Sequence, residues 1–273
     1  QHEKIISAIV AMDADILGII ELENTETTTI VNLVDSLNKT VGRATYAYID
    51  TGRIGNDQIR VALMYQPDAV TPAGVFMIDN SDIFERPPLA QTFEDASGER
   101  FSIVLNHFKS KRCQDASGPD LDQKDGQGCY NHKRTQQAAQ LLAFIETTVI
   151  PASADSDVLI IGDLNAYAKE TPITTVERAG YTNLIDRFMG AETYSYVFFG
   201  QSGYLSHALA SSSLTAQVTD VVVWHINADE PRVLDYNEED KSPEQLVDLY
   251  TTDSYRSSDH DPVLIGLELK RLL

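Results

Sequence analysis

The stretch VLIIGDLNA at positions 158–166 predicts the central strand of the fold. It opens with four branched aliphatic residues, which cannot alternate between core and water, so the run is typical of a strand that is covered on both faces. Gly162, Asp163 and Asn165 follow. Open α/β sheets commonly place ligand sites at such strand ends, so we expect Asp163 and Asn165 to lie in a binding site.

The length and composition predict one large domain. The chain has 273 residues, of which 42% are apolar, and no Pro-, Ser- or Gly-rich linker or internal repeat divides it. We therefore expect a single domain over residues 1–273. No apolar run reaches the roughly 18 residues that span a bilayer, so we expect no membrane insertion. No signal peptide is recognisable at Gln1; if the protein is exported, its leader lies outside this sequence.

The charge balance is strongly negative, with 41 acidic against 21 basic side chains and a net charge of -20. Polyanions normally bind to basic surfaces, so this balance argues against a nucleic-acid partner unless a divalent cation reverses the sign locally. Acidic surfaces also suit proteins that work in salt, where repulsion is screened beyond about 10 Å. The composition favours a marine or extracellular setting.

The two cysteines, Cys113 and Cys129, lie in one polar segment that is rich in Gly and Asp. Such a segment offers few apolar side chains to pack, and a disulfide that closes a loop of this size stabilises by about 3 kcal/mol. We therefore expect a disulfide and an oxidising compartment. The alternative is two unpaired loop thiols in a cytosolic protein.

The periodicity of the remaining chain predicts both helices and strands. Helical spacing occurs at 3–12, 27–42 and 132–150. Strands are predicted at 15–20, 44–49, 58–66, 101–108, 193–199, 219–226 and 262–269. Strands that are sometimes adjacent and sometimes separated by helices favour two packed sheets with helices outside.

Polar side chains also end three further predicted strands. Glu21 follows the first strand, Asn106 and His107 end FSIVLNHF, and Asp259 and His260 precede the last strand. A single residue of this kind is more often a turn or capping residue, but the repetition favours one shared site. Asp, Glu and Asn oxygens suit hard cations, and two histidines beside such a cation can move protons or hydrogen-bond to a phosphate.

Four motifs resemble those of the endonuclease/exonuclease/phosphatase superfamily, which includes DNase I: in chain order they are ELEN, NHFKS, GDLNA and SDHDPV. Further stretches are similar to the secreted bacterial nucleases of that superfamily: RPPLAQTF, GPDLDQKDGQGCYN, GYLSHALAS and WHINADEP followed by LDYN. The similarity covers nearly the whole chain. It implies an α+β fold, a four-layer α/β/β/α sandwich, that hydrolyses phosphodiester bonds with a divalent metal.

The resemblance also implies a role for each motif residue. Glu21 and Asp259 would bind the metal, which we expect to be Mg²⁺ or Mn²⁺. Asp163 and Asn165 would position the attacking water and the scissile phosphate. His107 would contact or protonate the phosphate.

The same resemblance assigns His260 to the basic side of the reaction, beside the metal. Arg86 would hold a phosphate oxygen, and Asn106 is a further candidate for substrate binding. Basic side chains flank the cysteine segment, and we expect them to contact DNA phosphates without reading sequence: Lys109, Lys111, Arg112, Lys133 and Arg134. The alternative for these five is a solvated polar loop.

The chain departs from the superfamily pattern at its beginning. In the superfamily a first strand upstream of the first helix carries an Asn near the metal, and no candidate precedes Glu21 here. A missing central strand should destabilise a sheet severely. We therefore expect that strand, apparently absent from this chain, on another fragment or in a longer precursor.

Ser206 is the second departure, because the family usually has an Asp at this position that hydrogen-bonds to the histidine of the SDH motif. Ser206 can still accept a hydrogen bond from His260, but it has no charge to raise the basicity of the ring. Loss of such a carboxylate costs about 10⁴-fold in kcat in a serine protease triad. We expect reduced activity unless another acid, Asp220 or Asp186, substitutes; a tolerated natural variant and an engineered change are alternatives.

The leading functional hypothesis is a monomeric bacterial DNase, secreted or at the cell surface, that is sequence-nonspecific and metal-dependent, with RNA as a further substrate. One alternative is a phosphatase or phospholipid phosphodiesterase of the same fold. Another is a catalytically degenerate domain that binds DNA.

Some polar and aromatic residues receive weaker assignments. The segment DLDQKDG resembles a calcium loop, but Lys124 occupies a ligand position, so structural Ca²⁺ is the less favoured interpretation. We expect His207 and His225 to pack or cap, and Trp224 to anchor the core.

Overall fold

This computed structural model describes residues 1–235, 237–238 and 241–270. The helices are α1 (His2–Met12), α2 (Thr28–Val41), α3 (Asn131–Phe144), α4 (Ile150–Ser153), α5 (Thr171–Arg178), α6 (Leu184–Met189), α7 (Ser212–Thr215) and α8 (Pro243–Asp248). The strands are β1 (Ile16–Glu23), β2 (Ala47–Tyr48), β3 (Ile59–Tyr65), β4 (Val70–Ile78), β5 (Leu89–Asp95), β6 (Arg100–His107), β7 (Val158–Asp163), β8 (Thr182–Asn183), β9 (Tyr196–Phe198), β10 (Gln201–Gly203), β11 (Ser206–Ala210), β12 (Val218–Val223) and β13 (Val263–Leu267).

The larger sheet has six strands in the order β4-β5-β6-β7-β11-β8. The predicted central strand is β7, which pairs parallel with β6 and antiparallel with β11. In the parallel pair, Asn106 lies opposite Gly162 and His107 lies opposite Asp163. The carboxyl ends of two neighbouring central strands, which carry the predicted site residues, therefore lie side by side.

A second layer of strands packs on one face of this sheet. It consists of a three-stranded sheet, β1-β3-β2, and a two-stranded sheet, β12-β13. Leu63 of β3 and Val221 of β12 share one core cluster with Leu105 and Leu159 of the larger sheet. The apolar residues of these strands thus fill the space between the two layers.

Helices cover the outer face of each layer. Leu141 of α3 and Ile173 of α5 pack with Ile160 on the outside of the larger sheet. Ile9 of α1 and Leu33 of α2 pack in the cluster that covers β1 and β3. This arrangement confirms the predicted α+β fold with four layers. None of the described helices is long and apolar enough to cross a bilayer.

The amphipathic stripe predicted for residues 27–42 forms α2. Ile30, Leu33, Val34 and Leu37 are its buried residues. The helix ends at Gly42, whose φ of 81° is left-handed. Glycine takes this conformation without a steric penalty, which is why it ends helices so often.

Two departures from the predicted elements have local causes. The long helix predicted at 132–150 is interrupted by a π-helical segment, Ile145–Val149, before α4. Pro151 has no N–H to donate to the preceding turn, so the regular hydrogen bonding cannot continue. Strand β4 was not predicted because it contains Pro72 and Gly74; an edge strand with a register shift tolerates both.

A cleft of about 1250 Å³ separates β1 from β13, so the described strands of the second layer form two sheets. Its floor includes Ile103, Leu105 and Ile161 of the larger sheet, and β1 and β13 form its walls. The facing edges of both strands lack a strand partner among the described residues. An upstream strand of the kind that the family resemblance implies would find apolar cover and backbone partners here, and that expectation stays a prediction.

We predict that a strand attached to Gln1, which also lines the cleft, stabilises the fold. An extension of about nine residues that alternates Val and Thr should raise the midpoint of thermal unfolding by about 5 °C. Burial of the Val side chains and backbone hydrogen bonds to both walls of the cleft favour the ordered strand, and a net gain of about 2 kcal/mol corresponds to a shift of this size. The control is a Gly/Ser extension of equal length. Equal midpoints for the two extended proteins, measured by calorimetry, would contradict the prediction.

Candidate active site

Side chains from separate strands meet at one end of the cleft. Nε2 of His107, at the end of β6, lies 3.9 Å from Oε1 of Glu21 in β1. The same nitrogen lies 3.8 Å from Oδ2 of Asp163, at the end of β7. Asp259 and His260 precede β13 and line the same cleft as Glu21. The structure thus brings together the acids and imidazoles that the sequence places at separate strand ends.

Gly162 makes the approach of β6 and β7 possible. Its φ is 118°, and a Cβ at this position would lie 2.0 Å from the backbone oxygen of Asn106. A side chain here would therefore force the two strands apart. The glycine of the GDLNA motif is required by the backbone that aligns His107 with Asp163.

A bulge in β1 directs Glu21 into the site. The pairing of β1 with β3 shifts between Ile19 and Leu22, and Glu21 has a positive φ of 59°. Bulges commonly re-aim a side chain beside a functional site, and a left-handed non-glycine residue is strained. The Glu21 side chain is 63% exposed, so its carboxylate is accessible from the cleft.

Asp163 and Asn165 form one rigid unit. Asp163 accepts a hydrogen bond at Oδ1 from the backbone N–H of Asn165, at 2.7 Å, and one at Oδ2 from Asn165 Nδ2, at 2.9 Å. Asn165 Nδ2 also donates to the carbonyl oxygen of Phe108. Burial raises the pKa of Asp163, while the protonated form of His260 and the hydrogen bond from the Asn165 backbone oppose that rise.

His107 is almost fully buried, and this decides its protonation. Burial, followed by electrostatic repulsion from Arg86 and from the protonated form of His260, lowers the pKa of His107 to about 3. The ring is therefore neutral near pH 7. Of the two predicted roles, contact with a phosphate fits this state, whereas proton donation from an imidazolium does not.

His260 is held by two contacts to its ring and one to its backbone. Its Nδ1 lies 3.2 Å from Oγ of Ser206, which confirms the predicted proximity of these two residues. Asn227 Nδ2 donates to the His260 backbone carbonyl at 2.6 Å, and the Tyr196 ring lies against the imidazole with centroids 4.5 Å apart. The ring is held in place without a charged partner at Nδ1.

Neither predicted substitute acid takes the place of the missing carboxylate. Asp220 pairs with Gly266 across β12 and β13, about 10 Å along the strands from the Val223–Val263 pair that lies nearest His260. Asp186 forms an ion pair with Lys169 instead.

Asp261 is a buried acid of this region that sequence reasoning missed. Its Oδ1 accepts from the backbone N–H groups of Ile226, Asn227 and Ala228, and its Oδ2 pairs with His225. It therefore anchors the loop behind His260. Its place beside the SDH motif was the available signal.

Glu21 and Asp259 are the residues that fit a divalent cation. Both are exposed at the cleft. No group of three His, Cys, Asp or Glu side chains within the described ranges is placed to hold a metal ion. Such a sparse donor set fits Mg²⁺, which keeps several waters and takes one or two carboxylates plus substrate phosphate oxygens. It does not fit a closed structural zinc site.

Two of the residues predicted to bind substrate are held by the protein itself. Arg86 donates to the carbonyl oxygens of His107 and Phe108 and forms an ion pair with Asp57 at 3.5 Å. Its charge still reaches the site, as its effect on His107 shows. Asn106 is fully buried, and its amide donates to the carbonyl of Val104 within its own strand. The prediction that Asn106 contacts substrate is wrong, because its side chain does not reach the cleft.

The predicted basic patch is largely neutralised by acids. Glu85 pairs with Lys133 at 2.6 Å and with Lys109 at 3.6 Å. Arg112 is exposed and has no ion pair among the described residues. Of the five basic residues, Arg112 is therefore the one best placed to meet a phosphate.

Lys111 and Arg134 stabilise the loop between β6 and α3. Lys111 pairs with Glu170, and Arg134 is fully buried, donating to the carbonyls of Cys129 and Gln127. Burial lowers the pKa of Arg134 to about 10, against the opposing effect of Glu170. The predicted phosphate contact of Arg134 is wrong, because a buried guanidinium with carbonyl partners does not reach a ligand.

The predicted disulfide between Cys113 and Cys129 is present. In the same loop, Asp122 and Asp125 accept hydrogen bonds from backbone N–H groups two residues later. These hydrogen bonds occupy one oxygen of each carboxylate within the loop itself. The loop geometry therefore gives no support to a calcium ion in DLDQKDG.

The remaining predictions for single residues are confirmed only in part. His207 is buried with Nε2 at 2.7 Å from the Ala166 carbonyl oxygen, and His225 stacks on Tyr194. Trp224 is only partly buried and belongs to no core cluster of the described residues. The prediction that Trp224 anchors the core is wrong.

We predict that His207 makes the folded protein acid-sensitive. Burial lowers the pKa of His207 to about 4 from 6.5, so the unfolded chain binds a proton that the folded protein excludes. The contribution of neutral His207 to the free energy of unfolding is fully present above the pKa of the unfolded chain. It is lost as the pH falls below that pKa, at about 1.4 kcal/mol per pH unit. His207→Gln should reduce the slope of unfolding free energy against pH, between about pH 5.5 and 4.5, by that amount.

Urea unfolding at several pH values measures this slope. The exposed His132→Gln is the matched control and should keep the slope of the parent protein. A His207→Gln slope that parallels the parent would contradict the assignment.

Solved structures of known proteins have a similar fold. Mannosyl-6-phosphatase of Bacteroides thetaiotaomicron is 14% identical, with 98% of this chain and 90% of that chain covered and a TM-score of 0.61. An AP endonuclease of Archaeoglobus fulgidus is 12% identical, with 98% and 94% covered and a TM-score of 0.59. The catalytic domain of human Nocturnin is 17% identical, with 81% and 76% covered and a TM-score of 0.52. At such identities the likeness shows the fold alone.

A search of curated protein sequences finds no match to this chain. The sequence profile of the Endonuclease/Exonuclease/phosphatase family, in contrast, matches residues 1–260. That range contains every strand end of the site described above. The chain therefore belongs to the endonuclease/exonuclease/phosphatase family.

Proposed function

We propose that this chain hydrolyses the phosphodiester bonds of DNA without sequence preference, with Mg²⁺ or Mn²⁺, outside a bacterial cell. Members of the family are phosphoester-cleaving hydrolases that generally use divalent metal ions. The observation that carries the proposal is the cluster at the end of the cleft, where His107 lies 3.9 Å from Glu21 and 3.8 Å from Asp163. Acids that can bind a cation there adjoin a neutral imidazole that can donate to a phosphate.

His260 is the proposed base. Ser206 lies next to Nδ1, which leaves Nε2 to take the proton of an attacking water. The Tyr196 ring packs against the imidazole, and the Asn227 amide holds the His260 backbone carbonyl. Ser206 lacks the charge that would stabilise the imidazolium, so the base is positioned but weakly supported.

The other residues provide binding and orientation. Neutral His107 would donate a hydrogen bond from Nε2 to a phosphate oxygen. Asp163, held by Asn165, would orient the attacking water through its buried carboxylate. A divalent cation held by Glu21 and Asp259 would neutralise the charge that develops on the phosphate.

The disulfide supports an extracellular or cell-surface location, because such bonds persist in oxidising compartments. The acidic composition supports a cation-dependent mode of binding to a polyanion, since the protein surface alone repels phosphate. RNA, which presents the same phosphodiester chemistry, is included in the proposed substrate range. We retain the proposal of a monomer.

Binding of DNA without cleavage is the second candidate function. It is favoured by one observation, the uncharged Ser206 at 3.2 Å from the proposed base. In that case the site would hold the phosphodiester but not activate water efficiently.

We predict that plasmid DNA is cut in Mg²⁺ or Mn²⁺ and that EDTA stops the reaction. Ser206→Asp should raise the rate, by up to about 10⁴-fold, because a carboxylate at Nδ1 stabilises the imidazolium that forms. Ser206→Ala is the matched control and should be no faster than the parent. Gel separation of supercoiled, nicked and linear DNA measures all three proteins.

Each outcome of this assay has a distinct meaning. Equal rates for the parent and Ser206→Asp would show that another group supports His260. DNA binding without cut DNA in the parent, with cleavage restored in Ser206→Asp, would establish the second candidate. If none of the folded proteins cuts DNA with either metal, the DNase proposal fails, and phosphomonoesters and phospholipids become the substrates to test.

A further inference from the structure

The hairpin of β9 and β10 carries the most exposed of the described large apolar side chains. Phe198 lies opposite Gln201, so Phe199 and Gly200 form the two-residue turn. Phe199 is 91% exposed and Phe198 is 52% exposed. Adjacent exposed apolar side chains of this kind are a feature that interaction sites share.

The backbone of the turn does not explain the presence of a phenylalanine. Phe199 has a φ of 47° and Gly200 a φ of 77°, the pattern of a type I′ turn, which favours Asn followed by Gly. A bulky residue with positive φ is a conformational outlier. Strain of this kind clusters at binding and catalytic sites, where the surrounding structure maintains it.

A row of rings connects the tip of the hairpin to the candidate active site. The Tyr196 ring centroid lies 4.5 Å from that of His260 and 6.1 Å from that of Phe198, nearly parallel to the latter at 12°. The Phe198 and Phe199 centroids are 4.5 Å apart. A ligand whose phosphate lies at His260 would extend naturally along this row.

The charges of the site favour stacking over purely electrostatic binding. The net charge is -20, and Lys111 and Arg134 are paired within the protein. Arg112 is exposed, and its charge partly opposes the burial that raises the pKa of Tyr196 to about 12. A protein with so little positive surface needs another source of affinity, and each base stacked on an aromatic ring supplies it without regard to sequence.

We propose that Phe198 and Phe199 form a stacking platform for unpaired bases next to the scissile phosphate, so that the preferred ligand is single-stranded nucleic acid. Bases in a duplex are already stacked and do not present their faces to a side chain. The position of the scissile phosphate rests on the proposed function. The stacking itself does not, because it requires neither a metal nor cleavage.

The test is binding of a labelled ten-residue oligothymidylate in EDTA, measured by fluorescence anisotropy. Phe199→Asn should weaken binding about ten-fold, which corresponds to about 1.4 kcal/mol and lies within the range for one stacked base. The parent should bind an abasic oligomer of equal length and charge less tightly than it binds oligothymidylate. The parent and the variant should bind the abasic oligomer equally well. Since Asn suits a type I′ turn, the variant should unfold at the same or a higher temperature.

Val75→Asn is the matched control, because Val75 is 82% exposed but lies in β4, at the edge of the larger sheet. It should leave oligothymidylate binding unchanged. The proposal is overturned if Phe199→Asn binds oligothymidylate like the parent, if the abasic oligomer binds as tightly as oligothymidylate, or if the parent binds neither. An equal loss on a blunt duplex would overturn the single-strand preference and indicate a wedge between base pairs. Failure of plasmid cleavage leaves these binding results intact, so the two proposals fail separately.

Discussion

The close contact of β6 and β7 at Gly162 is the constraint on which the candidate active site depends. Any side chain there would meet the Asn106 backbone and force the strands apart. Because the contact holds the pair in register, His107 lies beside Asp163. The bulge in β1 directs Glu21 towards these two residues. The site is therefore a product of two backbone irregularities at the ends of otherwise regular strands.

Burial determines how these groups behave once they are assembled. Because its pKa is low, His107 is an uncharged ring between two acids. We therefore assign proton transfer to His260, which is more accessible. Around the site, most of the nearby basic side chains are paired with Glu85 or Glu170. Affinity for a phosphate must then come from a bound cation, from Arg112, and from contacts that need no charge.

The sequence predicted the regular parts of this structure and the motif residues of the site. Continuous aliphatic runs and helical stripes specify their own burial, which is why β7 and α2 were found. Strand β4 was missed because tolerance of Pro72 and Gly74 depends on its edge position. The burial of Arg134 could not be inferred either, since its carbonyl partners belong to a loop whose path the disulfide and Glu170 define.

If strand ends far apart in sequence form one divalent-cation site, the site should bind Mn²⁺, and electron paramagnetic resonance measures that binding. Glu21→Gln should weaken Mn²⁺ binding by about ten-fold or more, because a carboxylate ligand is lost. Glu23→Gln, which removes an exposed carboxylate two residues along the same strand, should bind Mn²⁺ like the parent. Equal Mn²⁺ affinity for the two variants and the parent would contradict the account.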